Sequence, residues 1–280
     1  MSDKKKKKNV KKTVKEIKNY TVVGIIFAVL LVVLLLYLVI SNFSSYYKVE
    51  SRVDKVDSAK KYKDTTYKTI GWLRVQGTDI DLPILHSQEV DEKFPVELES
   101  FVWSDNIEKG FHNYMKIQGH NIFNLSAIPK KSDESFHRFE ELMAFVYYDF
   151  AKDNKYIQLT VDGKDYVYKI FSVGFVDKAT ETFFPIDDDV DKEKMKEQIK
   201  LFKNFSFYDY DVDVKETDKI ITLSTCTRFY GVNNDYGFYV VGRLLREGEK
   251  INNYKVKKNK SYNEIEEKLK GDEKNEEDNA

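Results

Sequence analysis

"DKIITLSTC", Asp218–Cys226, is a run of apolar and β-branched residues that ends on a cysteine. A stretch rich in glycine, asparagine and aspartate follows, "TRFYGVNND" (Thr227–Asp235), and then a second apolar run, "GFYVVGRLL" (Gly237–Leu245). Short apolar runs bounded by turn residues predict buried strands joined by a loop. The same pattern extends outward. "GWLRVQGTDIDLPIL" (Gly71–Leu85) alternates apolar and polar residues on both sides of Gln76-Gly77, predicting two strands around a turn, with Pro83 suited to a sheet edge. "NYMKIQG" (Asn113–Gly119), "KYIQLTV" (Lys155–Val161) and "DYVYKIFSVGFV" (Asp165–Val176) predict three more, the last two joined by the hairpin signal Asp162-Gly163. Only "SFHRFEELMAF" (Ser135–Phe145) and "DKEKMKEQIKLFKNF" (Asp191–Phe205) carry helical periodicity. Many short strands with few helices predict a sandwich or barrel.

The composition allows such a core. Of 280 residues 41% are apolar and 33% charged, and the formal net charge of −1 argues against nucleic-acid binding. The ends are compositionally distinct. Nine lysines and two acids occupy the first twenty residues, followed by an uncharged span from Val22 to Ile40. At 1.5 Å per residue that span gives roughly 28 Å of helix, close to the thickness of bilayer hydrocarbon. It exceeds a typical signal-peptide core and no A-x-A-like site follows it, so an uncleaved anchor is expected rather than a cleaved leader or a core helix. The lysines before it predict a cytoplasmic N-terminus and an extracellular remainder. From Asn252 onward the chain is so charged that a frayed helix or disorder is expected.

Cys226 is the only cysteine, which excludes an internal disulfide and a cysteine-rich metal site. It is a small buried hydrophobe, an intermolecular link or a nucleophile. An unpaired thiol outside the membrane is at risk of oxidation, and the end of a strand is where a scaffold presents reactive groups, which favours the nucleophile. A thiol nucleophile needs a base brought close by the fold. Of four histidines, His120 has the matching context, directly after a strand and a glycine in "YMKIQGHN". His137 lies in the helical pattern, and His86 and His112 border loops.

"TLSTC" (Thr222–Cys226), "GHN" (Gly119–Asn121) about a hundred residues earlier, and "GWLRVQGTDIDLPIL" together resemble the sortases, membrane-anchored cysteine transpeptidases of Gram-positive bacteria. The helix at Asp191–Phe205 resembles the class B insertion. The resemblance covers roughly Gly71 to Leu245. It implies a mainly β, eight-stranded barrel-like domain with a few peripheral helices behind one transmembrane helix, with Cys226 and His120 facing each other over a peptide groove. It also implies cleavage of a C-terminal sorting motif of secreted proteins through a thioacyl-enzyme, transfer to an amine of the cell wall or a pilin, and no cofactor or metal. The expected organisation is a basic segment 1–20, an anchor 21–43, a stalk or helix 44–70, a catalytic domain 71–250 and a charged, disordered tail 251–280.

Two departures from the family pattern leave other readings open: a surface binding module that kept the fold, and a hydrolase using water as acceptor. "FVWSDNIEKGFHNY" (Phe101–Tyr114) replaces a more usual glycine-containing stretch. The arginine that sortases place at the start of the strand after the cysteine loop is missing, its position taken by Tyr236 or Gly237. A guanidinium suits a developing oxyanion. Of six arginines only Arg228 and Arg243 lie near Cys226, and Arg243 falls about 20 Å too far along its strand at ~3.3 Å per residue. Arg228 is therefore the expected oxyanion partner, with Tyr236 or backbone amides as the alternative.

Overall fold

A computed structural model of the chain describes residues 20–38, 47–58, 69–86, 102–104, 111–121, 138–177, 190–231 and 236–277. The chain divides into two compact units, Met1–Tyr46 and Tyr47–Ala280. In the first, helix α1 (Tyr20–Leu38) has 19 residues, a mean hydropathy of 3.1 and no buried residue, long and apolar enough to cross a bilayer.

The second unit is mainly β, as the strand pattern predicts. Its described strands are β1 (Thr69–Val75), β2 (Asp81–His86), β3 (Val102–Ser104), β4 (Tyr114–Gly119), β5 (Tyr156–Val161), β6 (Lys164–Asp177), β7 (Tyr208–Tyr210), β8 (Ile220–Thr227), β9 (Tyr236–Leu244) and β10 (Val256–Lys258). Eight of them close a barrel in the order β1-β2-β3-β4-β8-β9-β6-β5, while β7 and β10 pair separately. Asp162 and Gly163 both take positive φ, 51° and 69°, the two-residue turn that joins β5 to β6. Pro83 is not at an edge, because β2 pairs with β1 on one side and β3 on the other. Among the described residues the β3 ladder begins one residue later, at Ile84↔Val102, so no described pair needs the N–H that Pro83 lacks.

Two apolar clusters hold the barrel. Leu73, Ile84, Ile117, Leu159, Leu223 and Val240 belong to the first. The second brings helix α4 (Lys192–Phe205) against Phe171, Val176, Ile220, Tyr239 and Val241 through Met195, Ile199 and Phe202, spaced as one helical face. Asp191 caps α4, its side chain accepting from the Lys194 N–H at 2.9 Å. Gly174 lets the helix end approach β6, since a Cβ there would lie 2.5 Å from the Phe205 carbonyl oxygen.

One expectation is corrected, and two that left alternatives open are made definite. "SFHRFEELMAF" is not one α-helix: Arg138–Val146 is a 3-10 helix, buried from Phe139 to Val146, followed by α3 (Tyr148–Asp153). Burial on all sides removes the amphipathic face that a surface helix needs. The segment expected as a stalk or helix contains α2 (Val53–Ser58) and is tied to the barrel, with Tyr47 only 6% exposed and Arg52 donating from Nε and Nη2 to Asp81 at 2.9 Å each. The charged tail folds as α5 (Tyr262–Glu277), because its few apolar residues share one face and Tyr262 and Ile265 enter the first cluster.

Two carboxylates that pair with basic side chains are well below their usual range. Burial raises the Asp81 carboxyl, but hydrogen bonds from Arg52, Trp72 and Lys55 outweigh it and bring it to about 2. Glu249 is brought to about 2 chiefly by its hydrogen bond from Arg243, against burial and with help from Lys169 and the Arg246 N–H.

Candidate active site

Cys226 lies at the end of β8, where the covering of the sheet stops. From Ile220 to Leu223 every residue of β8 is buried, so both faces are packed. Beyond that the faces differ: Thr225 and Thr227 stay buried, Ser224 is half-buried and Cys226 is exposed. One face of the sheet is thus open at this end, and the thiol is on it.

His120 arrives beside it through the neighbouring strand. β4 and β8 run parallel with Tyr114↔Ile220 and Gln118↔Ser224 as first and last partners. Carried two residues further at the same offset, that register sets His120 next to Cys226, one strand spacing or about 4.8 Å away in backbone terms. Hydrogen bonds fix the alignment beyond the ladder: the Thr225 hydroxyl donates to the Gly119 carbonyl at 2.8 Å, and Asn121 Nδ2 donates to the Cys226 carbonyl at 2.9 Å. Side chains of aligned residues share a face, so the half-buried His120 imidazole and the Cys226 thiol emerge on the same side. Gly119 has no room for a side chain, as its Cβ position lies against the buried Phe139 ring.

On the other side of β8, β9 runs antiparallel with Cys226↔Gly237 and Ser224↔Tyr239 as directly opposed pairs. Tyr239 is 3% exposed, and its ring is folded along the strand over Gly237: a Cβ on Gly237 would lie 2.6 Å from Tyr239 Cε2 and 2.7 Å from its hydroxyl. Sequence reasoning did not select Asn121 or Tyr239. "GHN" contains the first, but its hydrogen bond becomes visible only with the register, and Tyr239 reads as an ordinary strand residue.

The arginines are distributed otherwise. Arg228 follows β8 in a turn closed by the Gly231 N–H donating to the Arg228 carbonyl at 2.8 Å, and its side chain is exposed. Arg243 is opposed to Ile220 at the far end of β8, 2% exposed and bound to Glu249. His112 is half-buried next to β4, His86 ends β2, and His137 lies outside the described residues. Among the described residues no group of three or more His, Cys, Asp or Glu is arranged to hold a metal ion.

The parallel pair β4–β8 thus presents the lone cysteine beside a histidine at the rim of an eight-stranded barrel. Residues 73–245 match the family model of the sortase domain, and the chain belongs to the sortase family, whose members are cysteine transpeptidases. Similar solved structures include Clostridium perfringens sortase B, with a TM-score of 0.52 and 22% identity over 70% of this chain and 98% of that one. A Staphylococcus aureus sortase B–substrate complex gives 0.51 and 19%, over 69% and 83% of the two chains. A sortase B complexed with triglycine gives 0.53 and 19%, over 75% and 92%. These are likenesses of fold, and all three structures are sortase B. No curated protein matches the sequence.

Proposed function

We propose that this protein is a membrane-anchored cysteine transpeptidase with Cys226 as nucleophile and His120 as the proton-transfer group. The observation that carries the reading is the β4–β8 register, which brings the only cysteine and a histidine to one open strand end. The Cys226 sulfur attacks the scissile carbonyl of a sorting-motif peptide and its proton passes to His120. The tetrahedral intermediate expels the amine, which takes the proton from His120, so a C–S bond replaces the C–N bond. An acceptor amine then attacks the thioester and gives its proton to His120, and the C–N bond re-forms as the C–S bond breaks. An amine of a cell-wall precursor or a pilin serves as acceptor, in the way suggested by the triglycine complex of a sortase B. Helix α1 holds the enzyme at the bilayer, with the lysine-rich segment cytoplasmic and the barrel outside, near substrates that emerge at the membrane.

The test is incubation of the protein with a panel of quenched peptides carrying threonine before the scissile bond, with and without triglycine. Amide product and a thioester on Cys226 by mass spectrometry are the expected result, both lost in Cys226→Ala. Hydrolysis that triglycine does not divert identifies a hydrolase, and absence of any acylation identifies a binding module; either outcome overturns the proposal.

A further inference from the structure

A thiol attacking a carbonyl creates an oxyanion that needs a fixed hydrogen-bond donor. Of the five arginines whose side chains are described, four are committed elsewhere: Arg52 to Asp81, Arg74 to the Lys48 carbonyl, Arg243 to Glu249 and Arg246 to Asp213 and Asp218. The Arg228 side chain projects into solvent from a turn beyond the strand. None of these five is held against Cys226 by a described contact, whereas the neighbouring strand β9 offers a donor fixed beside it.

Resting on the transpeptidase reading, we propose that the Tyr239 hydroxyl is the side-chain donor to the oxyanion formed at Cys226. Gly237 is directly opposed to Cys226, and opposed residues of an antiparallel pair carry their Cβ atoms about 4.5–5.5 Å apart on one face. The Tyr239 hydroxyl occupies the space of the absent Gly237 side chain, 2.7 Å from its Cβ position. It is thus no more than about 8 Å from the Cys226 Cβ, a gap that Sγ, the attacked carbonyl and one hydrogen bond of about 2.8 Å fill. The ring is fixed: Tyr239 is 3% exposed and packs in the cluster that contains Val176, Val241 and Phe202 of α4. A rigid donor costs no reorganisation when charge develops, which is the condition for oxyanion stabilisation. The glycine and the tyrosine act as a pair. Only a residue without Cβ at 237 lets the phenol at 239 lie back along the strand toward the nucleophile.

Tyr239→Phe removes the hydroxyl and keeps the ring. It is expected to lower kcat about a hundredfold with little change in KM, to leave thermal melting and iodoacetamide alkylation of Cys226 near wild type, and to weaken hemithioacetal formation with a 13C-labelled threoninal peptide aldehyde. The hemithioacetal hydroxyl should titrate at higher pH in the variant by NMR. Gly237→Ala, which pushes the ring away but retains the hydroxyl, should show the same pattern and serves if Tyr239→Phe fails to fold. Arg228→Ala should stay within about threefold of wild type, far from the loss expected for a lost donor. Near-normal turnover and aldehyde affinity in Tyr239→Phe, or a hundredfold loss in Arg228→Ala instead, would overturn the assignment while leaving the transpeptidase reading intact. A wild-type protein that forms neither hemithioacetal nor thioester refutes the transpeptidase reading itself, and this inference with it.

Discussion

Gly119→Ala tests whether the backbone of β4 sets the catalytic geometry. Gly119 ends β4 and immediately precedes His120. A methyl there would overlap the Phe139 ring so deeply that even Cε1 would be 2.6 Å away, whereas carbon atoms rest at about 3.5–4.0 Å. Phe139 is fully buried at the start of the 3-10 helix, itself buried through Val146, so the ring cannot retreat and the strand end must move by about 1 Å. Overpacking of this kind costs about 1–3 kcal/mol. In a domain of this size that lowers the melting temperature by roughly 2–4 °C per kcal/mol. The effect on rate should be larger in relative terms. The Gly119 carbonyl accepts the Thr225 hydroxyl, so the shift pulls His120 out of line with Cys226, and a displacement of about 1 Å typically costs a hundredfold in rate. Peptide turnover and thermal melting are measured on the purified full-length chain in detergent. Phe139→Leu, added to Gly119→Ala, should recover much of the rate by removing the overlapping ring atoms. Wild-type turnover in the single variant, or a double variant no better than the single, would refute the argument that packing under β4 places the histidine.

Glu249→Gln leaves Arg243 and Lys169, 2% and 6% exposed, without their shared carboxylate; urea unfolding at pH 7 should show a loss of about 3 kcal/mol. The sign of the pH dependence follows from Glu249 and Asp81, whose folded-state pKa values are depressed to about 2. Their contribution is complete above the ordinary values of 4.5 and 3.8 and is lost as pH falls toward 2, so wild-type stability should drop through that window and the Glu249→Gln difference should shrink with it. Ile265→Ala on α5 should cost about 2 kcal/mol or more in the same assay if the helix is docked; no change would mean that α5 contributes nothing to the barrel.

The long strands were legible because each alternates or runs apolar for six residues or more, and the hairpin at Asp162-Gly163 declares itself through two residues that tolerate positive φ. β3, β7 and β10 were not, since three residues cannot display a period and their pairing is set by the barrel rather than by their own composition. A helix in the tail was one of two readings, but its docking was not legible because charged residues outnumber the apolar ones that pack, Tyr262, Ile265 and Leu269. The strand-end positions of Cys226 and His120 were readable from their sequence contexts. Tyr239 was not, because its position depends on Gly237 lying across from Cys226, a relation between two strands that neither displays alone.

The parallel pairing of β4 with β8 also sets the order in which the molecule can mature. Gly119 and Thr225, joined by a hydrogen bond, are 106 residues apart, and no hairpin can bring parallel neighbours together. The entropy of closing so long a loop is recovered only when the intervening β5, β6 and α4 have found their places. Histidine and thiol therefore meet late in folding. Chains that are still incomplete carry Cys226 without His120 beside it, so under the proposed mechanism acylation requires a closed barrel.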